Sequence, residues 1–302
     1  MKPDLCIYHG NCADGFTAAW AVRKALGKDV QFYPGFYGKE PPDMDGKNVV
    51  MVDFSYKRPV LDGLLQSGDV KQAMTILILD HHKTAAADLV GIKAPEGKYD
   101  AYRWRAGWEQ EMDWPVRAVF DMDRSGAQIA WDYFHPGEPR PKLVDYVADR
   151  DLWQFKLPHS REIAALIFSY HYDFERWDEL AQELEMDFRT LVIEGTAIER
   201  KHFKDIDELL AQTTREMVIG GQRVKVANLP YTMSSDAAGK LAEGAPFGAC
   251  YFDRADARVF SLRSRGDGAD VSEIAARYGG GGHKNAAGFQ APLGWEGDTS
   301  ER

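Results

Sequence analysis

The chain has few cysteines, and their arrangement excludes two kinds of architecture. Cys6, Cys12 and Cys250 are the only cysteines among its 302 residues, and no two of them form a C-x-x-C pair. Their odd number and wide spacing argue against a disulfide framework and against a zinc ribbon. Cys6 and Cys250 lie within apolar runs, so we interpret them as small core residues.

Long apolar runs and an excess of positive charge are also missing. No segment approaches the roughly 18 to 20 apolar residues of a membrane helix, and the N-terminus does not resemble a secretory signal. We therefore expect a cytoplasmic protein without membrane partners. The net charge of −10 argues against stable binding of duplex DNA, although divalent metal ions in an acidic site could still hold an anionic substrate.

The first half of the sequence is typical of a parallel sheet covered by helices, because short apolar segments alternate with helix-like ones. Residues 94–123 interrupt this pattern. They carry Trp104, Trp108 and Trp114 among charges without a clear period, and we interpret them as an irregular insertion. Ser125 is then predicted to cap a helix. The predicted strands are residues 5–8, 49–52 and 75–79, and the predicted helices are residues 16–26, 60–65, 127–134 and 142–148.

The second half predicts a different organisation. Residues 174–212 are rich in Glu, Leu, Ala, Arg and Lys at helical spacing, and we interpret them as a helical connector. Residues 213–293 mix strand-like and helix-like segments, which predicts a second, smaller α+β domain. The predicted fold class is thus α/β, with an N-terminal parallel-sheet domain over residues 1–173. The tail at residues 294–302 is expected to be disordered.

Potential metal ligands follow each of the three predicted N-terminal strands. His9 comes after the first strand, Asp53 after the second, and Asp80, His81 and His82 directly after the third. The carboxyl ends of parallel strands meet at one edge of a sheet, where α/β proteins build their sites. A single strand-end Asp or His is more often a helix cap or a solvated group. Their coincidence at three strands favours a shared site.

The candidate ligands offer carboxylate oxygens and imidazole nitrogens without a thiolate. Such a set suits Mn²⁺, or another hard to borderline divalent ion such as Mg²⁺ or Co²⁺, better than structural zinc. Two-metal hydrolytic sites hold their ions about 3.5 to 4 Å apart around a shared carboxylate. We therefore predict two bound divalent ions. The candidate residues are His9, Asp14, Asp53, Asp80, His81, Asp149 and Asp151.

A glycine-rich segment in the second domain predicts an anion site. Residues 279–282 are four consecutive glycines, whose N–H groups can approach a phosphate closely. An arginine at the end of a predicted strand can add a bidentate contact. Taken alone, such residues are more often a flexible turn and a solvated charge. The predicted substrate-binding residues are Arg263, Gly280, Gly281, Gly282, His283 and Lys284.

Taken in order, these motifs resemble those of the DHH phosphoesterase superfamily, named for the Asp-His-His seen here at residues 80–82. The glycine-rich segment at residues 279–289 is similar to a motif of its associated C-terminal domain. The resemblance implies a two-domain, metal-dependent phosphoesterase. The first, second and fourth family motifs correspond to His9 with Asp14, to Asp53 and to residues 149–153.

The resemblance also implies a role for each metal ligand. Asp53 would bridge both ions, and His9 would bind the first ion. Between the two late aspartates, Asp151 is preferred because it directly precedes a Leu-Trp pair. The second ion would be bound by Asp14, His81 and one of Asp149 and Asp151.

Two further residues would act on the substrate side of the site. By the same resemblance, His82 would contact the scissile phosphate, and Asp80 would orient the neighbouring imidazoles. One departure concerns the first motif, in which the family commonly has two aspartates spaced two apart. This chain supplies only Asp14, and Asn11 could occupy the missing position as a neutral oxygen donor with weaker attraction for the first ion.

The motif style most resembles the nano-RNase members of the superfamily, which degrade short oligonucleotides. We predict an exonuclease or oligoribonuclease that releases nucleoside monophosphates from short single-stranded RNA or DNA. Two alternatives stay open. One is a phosphatase or phosphodiesterase for small nucleotides, cyclic dinucleotides included. The other is a nucleotide-binding protein with impaired catalysis, for which the altered first motif is the argument. The oligomeric state is not predicted.

Overall fold

The computed structural model describes residues 3–67, 75–95 and 115–298. The chain divides into two compact units, Met1–Ile198 and Glu199–Arg302, which we call the N-terminal and C-terminal units. The division falls inside a long helix, within the segment 174–212 that was predicted to connect two domains. Residues 104, 108 and 114, the tryptophans of the predicted insertion, lie outside the described residues.

The N-terminal unit is built on a five-stranded sheet in the order β2-β1-β3-β4-β5, in which all neighbouring strands are parallel. This confirms the predicted parallel-sheet domain. The strands are β1 (Leu5–His9), β2 (Gln31–Gly35), β3 (Asn48–Val52), β4 (Thr75–Asp80) and β5 (Val116–Phe120). The helices are α1 (Ala13–Leu26), α2 (Arg58–Ser67), α3 (Lys83–Asp88), α4 (Gly126–Phe134), α5 (Lys142–Asp151), α6 (Ser160–Phe168) and α7 (Phe174–Met186).

Both faces of this sheet are buried, which explains why its central strands are almost continuously apolar. Successive side chains of a strand point to opposite faces. Val50 and Val52 of β3 thus join the core formed with α1, α4 and α7, whereas Val49 and Met51 join a second core on the α2 side. Full burial of one such side chain contributes roughly 1.5 to 3 kcal/mol. The central strands are therefore held firmly on both sides.

The two edge strands escaped the sequence analysis. β2 contains Pro34, and an edge strand tolerates proline because one side of it needs no N–H donor. β5 lies within residues 94–123, which were predicted to be irregular; that prediction is wrong for Val116–Phe120, since these residues pair in parallel with β4. Edge strands are only partly covered, so their apolar pattern is weak.

The C-terminal unit is a smaller α+β domain, as predicted. Its six strands run in the order β10-β11-β9-β8-β7-β6, and all neighbours are antiparallel except β7 and β8. The strands are β6 (Arg215–Ile219), β7 (Gln222–Asn228), β8 (Gly248–Asp253), β9 (Arg258–Arg263), β10 (Gly281–His283) and β11 (Ala286–Ala291). The helices are α8 (Phe188–Thr213), which begins in the N-terminal unit, α9 (Tyr231–Leu241) and α10 (Val271–Ala276).

The segment after β11 differs from the disordered tail that was expected from residue 294 onwards. The Trp295 ring packs edge-on against Phe260 at 5.1 Å between centroids. Tyr278 donates a hydrogen bond from its hydroxyl to Asp298 at 2.7 Å. An aromatic anchor and a polar contact thus fix residues 294–298 to the domain core. Residues 299–302 lie outside the described part of the chain.

Within the described ranges, no helix is both long enough and apolar enough to cross a bilayer. The longest described helix, α8, has 26 residues and carries charges along its length.

Gly15 lets the first turn of α1 approach the end of β1. A Cβ at this position would lie 2.4 Å from the carbonyl oxygen of His9. We expect Gly15→Ala to lower the free energy of unfolding by about 1–3 kcal/mol, because the backbone must move. Gly63 of α2 has open space around it, so Gly63→Ala should instead raise stability by about 0.5–1 kcal/mol. Urea unfolding of both variants checks this pair, and equal stabilities would contradict the close approach.

Candidate metal centre

The predicted ligands converge at the carboxyl edge of the N-terminal sheet. β1, β3 and β4 are neighbours in the centre of that sheet, and His9, Asp53 and Asp80 stand at their ends. The strand order reverses between β1 and β3, since β2 lies on the other side of β1. Such a switch point leaves a crevice at the strand ends in open α/β sheets. The fold therefore places the site where this architecture builds binding crevices.

Asp53 lies at the centre of the site. Its side chain is 1% exposed, with Oδ1 3.0 Å from Nε2 of His81 and Oδ2 3.4 Å from Nδ1 of His9. Its backbone is left-handed, with φ 53°, and its N–H donates to the carbonyl oxygen of Leu79 at 2.9 Å. Aspartate tolerates this region better than most residues, at a cost of about 1 kcal/mol or more. The unusual turn directs one carboxylate toward two imidazoles from different strands.

Asp14 is buried against the N-terminus of α4. Its Oδ2 accepts a hydrogen bond from the N–H of Gly126 at 2.6 Å, and its Oδ1 accepts one from Ala127 at 3.1 Å. The positive end of the helix dipole adds to these bonds. A Cβ at Gly126 would lie only 2.4 Å from Cβ of Asp53. Glycine at this position therefore lets α4 close over both aspartates, a contact that the sequence analysis missed.

Ser125 begins α4 as predicted. Its Oγ accepts a hydrogen bond from the N–H of Gln128 at 3.3 Å, and the Gln128 side chain accepts one from the N–H of Ser125 at 3.4 Å. This reciprocal pair is a capping box, which fixes the first turn of the helix. The cap thereby holds the two N–H groups that bind Asp14.

Asp80 holds the two histidines that follow it. Its buried Oδ1 accepts hydrogen bonds from the N–H groups of His81 at 2.7 Å and His82 at 3.3 Å. The same oxygen lies 2.7 Å from Nδ1 of the His82 ring. A carboxylate on Nδ1 fixes the tautomer and leaves Nε2 as the working nitrogen. This geometry matches the orienting role that the resemblance implies for Asp80.

The structure separates the two late aspartates at the end of α5. Oδ2 of Asp151 lies 3.4 Å from Nε2 of His81. Asp149 instead accepts hydrogen bonds from the N–H groups of Lys156 at 3.0 Å and Leu157 at 3.1 Å. Asp149 thus stabilises the turn after the helix, and the geometry brings Asp151, not Asp149, to the other candidate ligands.

Cys12 lies beside the central carboxylate. Sγ of Cys12 is 3.6 Å from Oδ2 of Asp53, whereas Asn11 is exposed on the turn with φ 57°. Cys12 also stands two positions before Asp14, the spacing at which the family commonly has its other aspartate. A sulfur atom thus accompanies the oxygen and nitrogen donors that were predicted, and the role of Asn11 as a replacement ligand stays a prediction.

Burial and mutual repulsion perturb the acidic groups of the site. Burial raises the pKa of Asp14 well above its usual value, and the charges of Asp53 and Asp151 raise it further. Burial also opposes ionisation of Asp53, but the imidazoles of His81 and His9 outweigh it and hold the pKa of Asp53 well below its usual value. The pKa of His81 rises to about 10, since the neighbouring carboxylates overcome the effect of burial. Crowded negative charge of this kind favours a bound cation.

The residues present fit a pair of divalent ions. Oδ1 of Asp53 and Oδ2 of Asp151 are buried, yet neither takes part in a well-formed hydrogen bond among the described residues. Asp53 belongs to three groups of donor atoms, each within 4.8 Å of one another. These groups are His9, Cys12 and Asp53; Asp14, Asp53 and His81; and Asp53, Asp80 and His82. Asp80 already holds Nδ1 of His82, so the first two groups are the candidates for the ions. A carboxylate shared between two ligand groups is the arrangement of two-metal sites.

In the C-terminal unit, two of the predicted phosphate-binding side chains share one row of the sheet. His283 pairs with Ala286, and Ala286 pairs with Arg263. Directly paired residues point to the same face, so the side chains of Arg263 and His283 lie on one face at a spacing of about 10 Å, two strand separations. Arg263 donates from Nη2 to Oγ of Ser235 on α9 at 2.8 Å. Helix α9 thus positions the guanidinium.

The glycine run does not form the open anion nest that was predicted. The N–H of Gly280 donates to the carbonyl oxygen of Ala275 at 3.0 Å, which leaves that donor committed to the end of α10. Gly281 and Gly282 belong to β10, in a hairpin with β11 that ends in the exposed Lys284. A Cβ at Gly280 would lie 2.1 Å from the carbonyl oxygen of Gly288. A Cβ at Gly282 would lie 2.5 Å from the carbonyl oxygen of Ala286, so Gly280 and Gly282 serve close backbone packing.

Tyr37 is a further residue at the site that the sequence did not mark. Its ring centroid lies 5.4 Å from that of His9 and 6.2 Å from that of His82. The side chain is nevertheless exposed, as is that of the preceding Phe36. An exposed aromatic ring thus borders the ligand cluster. It lies in the irregular segment after β2, where no periodicity could have singled it out.

Known proteins resemble this chain over nearly its whole length. Uncharacterized protein R106 of Acanthamoeba polyphaga mimivirus is 30% identical over 311 residues, which covers 95% of this chain and 67% of the viral protein. The solved DHH domain of a member of the s1p family of ribosomal proteins is 15% identical with a TM-score of 0.53, and the match covers 96% of this chain and 83% of that chain. A pGpG-specific phosphodiesterase from Vibrio cholerae is 14% identical with a TM-score of 0.46, covering 96% and 93%. No family model matches the sequence.

Fold and motif agree with each other. The chain has the fold of the solved DHH domain, and the Asp-His-His motif of residues 80–82 lies where a parallel strand ends in the centre of the sheet. Nε2 of His81 in that motif lies 3.0 Å from Oδ1 of Asp53 and 3.7 Å from Oδ2 of Asp14. The chain therefore has a DHH-domain fold, and its motifs agree with the resemblance to the DHH phosphoesterase superfamily.

Proposed function

We propose that the chain is a two-metal phosphodiesterase that hydrolyses short single-stranded oligonucleotides to nucleoside monophosphates. The observation that carries this proposal is the buried Asp53 carboxylate, which is shared between two groups of candidate metal ligands. Such a site serves hydrolysis of phosphoesters because two cations can stabilise both the attacking and the leaving oxygen.

The metal ligands are assigned from the geometry of the N-terminal unit. The first ion would be held by His9 and Asp53, and the second by Asp53, Asp14, His81 and Asp151. Bound divalent ions would supply Lewis acidity and would lower the pKa of a bound water. The oxygen-rich second group suits Mn²⁺ or Mg²⁺.

The chain's own residues orient and bind the substrate. Asp80 holds Nδ1 of His82, which leaves Nε2 to donate a hydrogen bond to a phosphate oxygen. Arg263 and His283, on one face of the C-terminal sheet, offer hydrogen-bond donors for a phosphate.

Tyr37 supports a substrate with nucleobases. Its exposed ring beside His9 and His82 offers a flat apolar surface at the edge of the site. Every base has a π-face, so stacking on such a ring tolerates different sequences. This property suits an enzyme that acts on short oligonucleotides of mixed composition.

We expect Mn²⁺ to stabilise the protein against heat, by about 2.7 kcal/mol at an ion concentration 100 times the Kd. Asp151→Asn should abolish most of this shift, because Asp151 lies in the ligand cluster. Asp149→Asn should lower the melting temperature yet keep the shift, because Asp149 binds backbone N–H groups. Thermal denaturation with EDTA and with Mn²⁺ measures both effects. A lost shift in Asp149→Asn alone would reverse the assignment.

Incubation of the purified protein with Mn²⁺ and di- and trinucleotides should release nucleoside monophosphates, detectable by ion-exchange chromatography. Asp53→Asn keeps the shape but removes the charge, and should lower kcat/KM by more than about 100-fold, the upper end of the loss for a mere supporting partner. Turnover of 3′-phosphoadenosine 5′-phosphate or a cyclic dinucleotide, without release from oligonucleotides, would favour a small-nucleotide enzyme. Binding of oligonucleotides without any hydrolysis would favour a regulatory protein.

Replacing Tyr37 by alanine should raise KM for dinucleotides by about 5- to 150-fold, equivalent to the 1–3 kcal/mol of one stacked base. The value of kcat should change little, since the ring is not a metal ligand. Tyr33→Ala is the matched control, because Tyr33 is an exposed tyrosine of the neighbouring strand β2. Steady-state kinetics with both variants separates the two parameters. An unchanged KM in Tyr37→Ala would rule out stacking.

A further inference from the structure

We propose that Cys12 is a thiolate ligand of the first metal ion, together with His9 and Asp53, and that it makes this half of the centre selective for Zn²⁺ or Co²⁺ over Mg²⁺. The inference rests on the proposed two-metal site, because it concerns the identity of one of the ions. It changes the expected ion at one position only.

The contacts of Cys12 place its sulfur among candidate donors. Sγ lies 3.6 Å from Oδ2 of Asp53, the same oxygen that lies 3.4 Å from Nδ1 of His9. All three donor atoms are within 4.8 Å of one another, so a single ion can reach all of them. Cys12 is a free cysteine, and it precedes α1 without a side-chain capping hydrogen bond. Neither a disulfide nor a helix cap therefore explains its position.

A second observation points to a ligand independently of the cysteine. Asp53 is 1% exposed, and its Oδ1 is buried without a well-formed hydrogen bond among the described residues. A buried carboxylate oxygen in this state costs free energy unless a cation or a donor meets it. The carboxylate that Cys12 touches is thus built for a charge that the surrounding side chains only partly supply.

The position of Cys12 distinguishes it from the other two cysteines. Cys6 and Cys250 are fully buried in the apolar cores of the two units. Cys12 is partly exposed at the edge of the ligand cluster. It also stands at the spacing of the family's missing aspartate, two positions before Asp14. A thiolate would restore the single negative charge of that aspartate, which the neutral Asn11 cannot do.

The two halves of the centre would then differ in chemical class. A set with sulfur and imidazole favours Zn²⁺ or Co²⁺, whereas carboxylate-rich sets suit Mg²⁺ and Mn²⁺. Ion binding at the first half would release the Cys12 thiol proton to solvent and form one metal–sulfur bond. The second half, with Asp14 and Asp151, would keep its preference for harder ions. The centre is therefore inferred to hold two unlike ions when both kinds are available.

Cobalt spectroscopy of the full chain tests the sulfur ligand without relying on catalysis. Titration of metal-free protein with Co²⁺ should give visible d–d bands together with a near-ultraviolet thiolate-to-cobalt charge-transfer band. Cys12→Asp should lose the charge-transfer band and keep the d–d bands, and Cys250→Ala should keep both. Circular dichroism verifies that each variant is folded. Visible d–d bands without the charge-transfer band in the unaltered protein would overturn the Cys12 assignment but would leave the two-metal proposal standing. Absence of any cobalt binding would overturn both proposals.

Metal competition gives a further readout. Cys12→Asp should improve binding of Mn²⁺ relative to Zn²⁺ by at least about tenfold, the lower end of effects at metal-supporting positions. Competition titrations of Mn²⁺ against Zn²⁺ with the unaltered protein, Cys12→Asp and Cys250→Ala measure this ratio. An equal ratio in the unaltered protein and in Cys12→Asp would overturn the inference.

Discussion

The buried Asp53 carboxylate is the constraint on which the N-terminal unit depends. A carboxylate that is 1% exposed is stable only when positive charge or donors surround it. The fold supplies His9 and His81 from the two strands that flank β3. Their imidazoles keep Asp53 ionised against the effect of burial. Asp53 can therefore stay negatively charged only because β1, which ends in His9, and β4, which is followed by His81, lie on either side of β3.

The other buried aspartates around Asp53 are stabilised by different hydrogen-bond partners. Asp14 uses two N–H groups at the start of α4, and Asp80 uses the backbone and ring of the residues that follow it. Oδ2 of Asp151 lies 3.4 Å from Nε2 of His81. Among the described residues, Asp53, Asp80 and Asp151 each keep one buried carboxylate oxygen without a well-formed hydrogen bond. Backbone hydrogen bonds thus fix the acidic cluster while leaving some of its oxygens available for ions.

The sequence predicted those parts of the fold that physical patterning controls strongly. β1, β3 and β4 are buried on both faces, so their apolar runs and the polar residues after them were visible without a structure. β2 and β5 lie at edges, where Pro34 and charged residues obscure the pattern. The glycines of residues 279–282 were interpreted as a phosphate site, and the sequence did not indicate that Gly280 packs closely against Gly288.

Within the site, the residue types were predictable and the choice between neighbours was not. Asp149 and Asp151 are two apart on α5, so their side chains point roughly 200° from each other. Either could face the sheet, and only the packing of α5 decides between them. Asn11 and Cys12 are neighbours on a turn, where Asn11 is exposed with a left-handed φ and Cys12 lies beside Asp53. Such choices depend on one backbone angle, which composition and spacing do not specify.

The missing aspartate of the first family motif can be understood from the same repulsion between buried carboxylates. Loss of one carboxylate next to Asp53 would ordinarily weaken the attraction for a cation. The charges of Asp53 and Asp151, however, add to burial in raising the pKa of Asp14, so the cluster already has a surplus of negative charge. A cysteine at this edge keeps a group that can be neutral in the metal-free protein and anionic when an ion binds. It thereby lowers repulsion within the folded, metal-free site, and in the role proposed for Cys12 the first ion still keeps a third ligand. A cysteine at position 12, where the family commonly has an aspartate, is thus compatible with the fold because the neighbouring aspartates already make the cluster acidic.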